Sequence, residues 1–282
     1  MRLVSFELSG EWGWGVITPQ DEIVCGNRRW EGRYPTLKAA LAALDHGAIA
    51  DMAESETPDL ALDAVRLLPP VPDPEHIYCA GLNYLAHAQE VAKATPDAPR
   101  IFLRTASSLV AHGQPIERPK VSTDLDYEGE LAVVIGQGGR NIAAGNAMEH
   151  VAGYTCFMDG SIRDYQKNTT TAGKNFHATG AMGPWLVTPE EIGDWRALSL
   201  ETRLNGEVVQ SAKTSAMMVS IGELIAYVST ISVLQPGDVI VTGTPEGIGC
   251  RREPPLWMKP GDVIEVEISR IGTLRNRVVD ET

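Results

Sequence analysis

The run Leu131-Ala-Val-Val-Ile135 constrains this chain more than any other segment. Apolar residues fill both parities of the period-two repeat, so the segment reads as a strand covered on both faces. Its N-terminal flank, Asp126-Tyr-Glu-Gly-Glu130, places Glu128 and Glu130 one residue apart. Residues i and i+2 of a strand share a face, so the two carboxylates can converge on one point while Gly129 leaves room opposite. Buried carboxylates need a strong partner to stay ionised, and a divalent cation is such a partner.

A second apolar run, Val151 to Met158, reads as a strand that delivers Asp159 to its end. Three carboxylates with no Cys or His nearby favour a hard ion. Mg²⁺ or Mn²⁺ on a three-oxygen face would keep positions open for an oxygen-rich substrate, which implies catalysis. The chain holds a second pair at the same spacing, Glu265 and Glu267. There Ile264, Val266 and Ile268 alternate with the acids, so that pair reads as the solvated face of a half-exposed strand. In Gly81-Leu-Asn-Tyr-Leu-Ala-His-Ala-Gln-Glu90, His87 and Glu90 are neighbours if the segment is helical. A carboxylate on one imidazole nitrogen fixes the tautomer and leaves the other nitrogen to take a proton from water. A solvated surface ion pair is the competing reading.

The ordered set Asn83-Tyr84-x-x-His87-x-x-Glu90, Asp126-Tyr-Glu-Gly-Glu130, Gly153 to Gln166, Lys174-Asn-Phe176, Gly183-Pro-Trp185 and Thr242-Gly-Thr-Pro-Glu-Gly247 resembles the fumarylacetoacetate hydrolase superfamily. The resemblance spans roughly residues 72 to 282. Each motif alone is weak, and it is their order that carries the likeness. It implies a β-rich α+β fold built as a flattened β-roll, paired as a homodimer. It also implies a Mg²⁺ or Mn²⁺ enzyme for small oxo acids, with Glu128, Glu130 and Asp159 as metal ligands. His87 with Glu90 would activate water, Lys174 would stabilise negative charge, and Tyr84, Gln166 and Thr244 would line the substrate pocket.

The activity this implies is hydrolysis of a carbon–carbon bond in an acylpyruvate or β-diketo acid. Decarboxylation, isomerisation or hydration of a related 2-oxo acid is the alternative, and a noncatalytic ligand-binding protein is a third reading. The chain departs from the family pattern in places. Arg104 stands where many relatives have Lys; its planar fork suits a substrate carboxylate, although pairing with one of the chain's own acids fits equally. His177 stands where relatives often carry Asp, and the Trp frequent before the Lys is absent from Asn168 to Gly173, so the pocket wall is expected to differ.

Composition narrows the partners. The 282 residues carry a net charge of −13, which argues against nucleic acid and anionic membrane surfaces. The start has no apolar signal-like core, and no run approaches the roughly 20 apolar residues of a membrane helix, so a cytoplasmic protein is expected. Four scattered cysteines without a Cys-x-x-Cys fit reduced thiols.

Leu67-Leu-Pro-Pro-Val-Pro-Asp-Pro74 reads as a linker, dividing a small N-terminal cap domain, residues 1–70, from a catalytic domain, residues 71–282. In the first part Leu3 to Leu8 and Gly13 to Ile17 read as strands. In the second, Asn205-Gly206 predicts a type I′ hairpin and Pro-Gly-Asp at Pro236 and Pro260 predicts two strand entries. Ser220-Ile-Gly-Glu223 predicts a capped helix with Ile221, Leu224, Ile225 and Val228 inward. Asn83 to Pro99, punctuated by Pro96 and Pro99, reads as a lid over the site.

Overall fold

The apolar runs form two large sheets, beside a two-stranded one of Leu125–Asp126 and Ser161–Ile162, in the computed structural model, which describes residues 1–91, 94 and 97–282. The strands that matter are β1 (Arg2–Leu8), β2 (Glu11–Ile17), β3 (Glu22–Cys25), β4 (Ile77–Gly81), β5 (Arg100–Arg104), β6 (Gly129–Ile135), β7 (Val151–Met158), β8 (Gly180–Val187), β9 (Ser199–Leu204), β10 (Glu207–Lys213), β11 (Val239–Val241), β12 (Val263–Ile268) and β13 (Gly272–Asp280). A 12-stranded sheet runs β3-β2-β1-β8-β7-β6-β11-β4-β5, with short strands at its margins. A 5-stranded sheet runs β10-β9-β12-β13 and ends on Ile116–Arg118.

Strand β6 is buried at every residue, as its unbroken apolar run requires. Its two faces enter different cores. Leu131, Val133 and Ile135 pack with Ile264, Val266 and Ile268 of the small sheet. Ala132 and Val134 pack with Trp14 and with Leu37, Ala40 and Leu41 of α1 (Leu37–Ala43). The large sheet is therefore the middle layer, between the small sheet and the N-terminal helices α1 and α2 (His46–Ser55). Thr36 and Asp45 cap these helices by accepting from Ala39 N and Ala48 N, which satisfies first-turn donors.

Residues 1–70 extend the large sheet. Strand β1 pairs with β8 at Leu3↔Leu186, and one core joins Leu3, Trp14 and Ile49 to Ile77, Ala132 and Val239. The Pro-rich stretch after Leu67 carries no strand before Ile77, yet Leu68 and Val71 are buried within it. The expected boundary near Pro70 thus marks a gap between strands through which the packing continues.

The local signals hold in detail. Asn205 and Gly206 have φ of 54° and 87°, the left-handed pair a type I′ turn needs between β9 and β10. Both Pro-Gly-Asp segments lead into strands, β11 and β12. Ser220 and Glu223 form the reciprocal capping box of α3 (Ile221–Ile231), whose residues Ile221, Leu224, Ile225 and Val228 are fully buried. Each such side chain contributes about 1.5–3 kcal/mol of transfer free energy. The site is carried by three shorter helices, Leu85–Glu90, Arg163–Gln166 and Thr170–Lys174.

Candidate active site

Antiparallel pairing of β6 with β7 brings the carboxylates together. Gly129 pairs with Met158, so Glu130 on one strand, and Glu128 just before it, lie beside Asp159 at the end of the other. Asp159 N donates to Glu128 O at 2.8 Å and fixes the corner. One oxygen from each of Glu128, Glu130 and Asp159 lies within 4.8 Å of the others, and all three residues are buried. Gly129 between the two glutamates is required by close approach: a Cβ there would stand 2.0 Å from Thr202 Oγ1.

The cations around this cluster are specific. Lys174, at the end of Thr170–Lys174, is 1% exposed, and its Nζ donates at 2.6 Å to Glu128 Oε2 and at 2.6 Å to Asp159 Oδ2. That helix begins on Thr169, whose hydroxyl accepts from Ala172 N, so a stretch that looks loop-like in sequence carries Lys174 inward. Arg163 Nη2 donates to Glu128 Oε1 at 2.6 Å and its Nε to Asp126 Oδ2 at 2.8 Å. Arg104 Nη1 donates to Asp159 Oδ1 and to Gly160 O.

Charge is unevenly matched within this group. Burial disfavours an ionised Glu128, but Lys174 and Arg163 outweigh it and hold that carboxyl far below the usual range. Burial works against Lys174 too, and Asp159 and Glu128 outweigh it, so the ammonium is retained. Glu130 differs: burial, with Asp159 and Glu128 beside it, pushes its carboxyl well above the ordinary value. Its direct donor is the Gly243 backbone N–H. With all four ionised, Asp126, Glu128, Glu130 and Asp159 would outnumber Arg104, Arg163 and Lys174 by one charge. An all-oxygen set with excess negative charge fits a hard divalent ion such as Mg²⁺ or Mn²⁺. Adding two charges would leave the cluster one positive, which suits an anionic ligand.

His87 and Glu90 share the helix Leu85–Glu90, with His87 Nδ1 at 3.1 Å from Glu90 Oε2. The other oxygen, Glu90 Oε1, accepts from Gly247 N at 2.9 Å. A carboxylate only accepts, so Nδ1 carries the hydrogen and Nε2 keeps its lone pair. His87, Glu128, Glu130, Gln166, Lys174 and Thr244 all line one cavity of about 620 Å³. Gln166 Oε1 accepts from Arg163 Nη1 at 2.8 Å, and among the described residues its amide nitrogen meets no acceptor. Thr244 Oγ1 donates to Gly129 O at 3.0 Å.

Arg104 and Tyr84 are placed differently from their expected pocket positions. Register on β5 opposes Arg104 to Ile77, and its guanidinium is fully enclosed by Asp159, Gly160, Ser108 and Thr179 behind the triad. It holds a carboxylate of the protein itself, the second of the two readings its chemistry allowed. Tyr84 is 2% exposed and bridges to Met217, outside the cavity wall. His177 is exposed and also outside that wall. The expected lid is a helix over its first part, while Pro96 lies outside the described residues.

Three residues were left without a role by sequence reasoning. Arg163 lies in a quoted motif, and Asp126 opens another; their pairing needed the fold. Gln210 on β10 carries no motif at all. Only the hairpin register, which sets it opposite buried Thr202, could have signalled it.

Residues 76–279 match the family described as fumarylacetoacetate (FAA) hydrolase C-terminal. The chain is 42% identical over 224 residues to the mitochondrial oxaloacetate tautomerase fahd2 of Xenopus laevis, covering 78% of this chain and 70% of that protein. The solved fumarylacetoacetate hydrolase of Exiguobacterium antarcticum superposes with a TM-score of 0.82 at 34% identity, over 100% of both chains. Maleylpyruvate hydrolase from Sphingobium sp. SYK-6, solved with manganese(II) and pyruvate, superposes with a TM-score of 0.83 at 28% identity, again over 100% of both. With the match running through the triad, the His87–Glu90 pair and Lys174, the chain belongs to the fumarylacetoacetate hydrolase family.

Proposed function

We propose that this protein is a divalent-cation-dependent hydrolase that cleaves a carbon–carbon bond in a small acylpyruvate or β-diketo acid. The observation that carries the reading is one cavity lined both by Glu128 and Glu130 of the carboxylate triad and by His87, whose Nδ1 is engaged by Glu90. Glu128, Glu130 and Asp159 would hold Mg²⁺ or Mn²⁺. When bound, the ion supplies Lewis-acid polarisation of a 2-oxo-carboxylate, worth several kcal/mol.

The chain's own residues account for the remaining steps. His87 Nε2 takes a proton from water, and Glu90 stabilises the imidazolium through Nδ1–H. General-base help of this kind contributes about 10²- to 10⁴-fold. Lys174, enclosed beside Glu128 and Asp159, offers fixed positive charge where negative charge grows on the substrate, and such charge counts most where water is excluded. Gln166 donates from the wall to orient the oxo acid. Attack of the resulting hydroxide at the distal carbonyl breaks the adjoining carbon–carbon bond, the acid departs, and the pyruvate enolate takes up the proton that His87 had accepted, giving pyruvate.

A second reading is tautomerisation of a 2-oxo acid such as oxaloacetate, favoured by the 42% identity to a protein of that name. In it His87 moves a proton between carbon and oxygen, and no water attacks. Metal-stripped protein reloaded with Mg²⁺ or Mn²⁺, and assayed against acylpyruvates and oxaloacetate with product identification, separates the two. Pyruvate plus the matching acid supports hydrolysis. Keto–enol exchange of oxaloacetate without cleavage overturns it in favour of tautomerisation. His87→Ala should lower either rate by about 10²- to 10⁴-fold.

A further inference from the structure

Gln210 is 2% exposed and sits where β10 passes beneath the loop from Thr242 to Gly247. Its Oε1 accepts from Gly129 N at 2.9 Å, the backbone of the residue between Glu128 and Glu130. Its Nε2 donates to Thr244 Oγ1 at 2.8 Å and to Pro245 O at 3.0 Å. Thr244 Oγ1 in turn donates to Gly129 O, so one Gln and one Thr engage both backbone polar groups of Gly129.

The same loop reaches both parts of the site. Gly243 N donates to Glu130 Oε2, and Gly247 N donates to Glu90 Oε1. Its far end presses on the strand that bears Gln210: Gly247 has φ of +101°, and a Cβ there would lie 2.2 Å from Val209 O. A buried primary amide could be replaced by an apolar side chain if it served packing alone. Here each of its polar atoms is spent on a group that positions a carboxylate, through Gly129 on one side and the loop on the other.

We infer that Gln210 is a positioning residue that sets the triad and the His87–Glu90 pair in a common register through the 242–247 loop; this rests on the metal reading of the triad. Residues that orient metal ligands typically change metal affinity by about 10- to 100-fold when removed. A residue acting only on stability would lower the melting temperature and leave affinity unchanged.

The experiment is calorimetric titration of Mn²⁺ into the metal-free full-length protein, with a thermal melt of every variant. Gln210→Ala is expected to weaken Mn²⁺ binding by about 10- to 100-fold at a temperature where the protein is fully folded. Thr244→Val should weaken it less, and the double variant should fall short of the product of the two, because both act on Gly129. Amide exchange at Gly247, the Glu90 donor, should quicken by about tenfold in Gln210→Ala, the worth of one lost hydrogen bond. Should Gln210→Ala fail to fold, Gln210→Glu keeps the acceptor for Gly129 N, loses the donors to Thr244 and Pro245, and is read in the same way. Unchanged Mn²⁺ affinity in folded Gln210 variants overturns the inference while the metal reading stands. A wild-type protein that takes up no Mn²⁺, or a Glu128→Gln protein that binds it as tightly as wild type, overturns the metal reading itself.

Discussion

The chain carries the same Glu-x-Glu pattern at two of its strands, and the two copies have opposite physical lives. Glu265 and Glu267 alternate with buried Ile264, Val266 and Ile268 on β12, and their carboxylates meet Arg203 at the surface, at 3.2 Å and 2.5 Å. Glu128 and Glu130 precede or begin a strand with no exposed residue, so water solvates neither side chain well. Spacing directs a pair of carboxylates to one face; desolvation decides whether that face needs a cation. On β12 the solvent and one Arg suffice. At β6 three cations, Lys174, Arg163 and Arg104, serve Glu128 and Asp159, and Glu130 is left with a backbone amide.

The contrast is broken most forcefully by the same substitution at both places. Glu128→Gln should lower turnover by about 10³-fold or more, the kinetic equivalent of the several kcal/mol a bound cation supplies. Glu265→Gln should leave turnover unchanged and stability within about 0.5 kcal/mol. Initial rates and denaturant melts on both variants decide it, and equal effects would mean that burial does not distinguish the pairs.

Lys174→Met tests the cations around the triad. Removing one partner of a buried pair leaves an uncompensated charge, at a cost of about 3–5 kcal/mol. The metal-free variant should melt well below wild type, and saturating Mn²⁺ should recover part of the loss if the triad takes the ion. A melt that Mn²⁺ does not move would mean that the protein's own cations, and not a metal ion, organise those carboxylates.

Much of this contrast was legible beforehand, because it follows from period. The parity of apolar residues separated β6 from β12, and the turn at Asn205-Gly206 and the capping box at Ser220 are local chemistry. The three carboxylates and the His87–Glu90 pair each lie in short motifs whose geometry is set within one element or one strand pair. What could not be read is set by contacts distant in sequence. Arg104 turns away from the cavity because β5 pairs with β4 in a register that aims it at Asp159, 55 positions on. Gln210 is unremarkable in sequence, and its meaning comes from the loop that folds over it from residue 242 onward. The N-terminal strands look separable because a Pro-rich stretch follows them, while the pairing Leu3↔Leu186 that binds them to the rest has no local trace.

A pH measurement sharpens the difference within the buried pair. The folded protein raises Glu130 above its ordinary 4.5, so the stability this group contributes is present below that pH and is lost as pH rises toward its folded value. Without metal, Glu130→Gln should therefore gain on wild type as pH rises above 4.5, by at most about 1.4 kcal/mol per unit. Excess Mn²⁺ should abolish that gain, since a cation favours the ionised carboxylate. Parallel melts of the two proteins from acid to neutral pH, with and without Mn²⁺, read it directly.

The smallest effect belongs to the exposed pair, and it is the control that gives the others meaning. Arg203 joins Glu201, Glu265 and Glu267, and these three carboxylates raise its already high pKa further. Drawn as contacts, this network looks as rich as the one around Lys174. Its members stay in water, however, where long side chains lose entropy on pairing and salt screens what they gain. Arg203→Ala should cost about 1 kcal/mol or less, shrink further in high salt, and leave Mn²⁺ affinity untouched. A loss comparable to that of Lys174→Met would show that contact geometry, rather than exclusion of water, separates the two glutamate pairs.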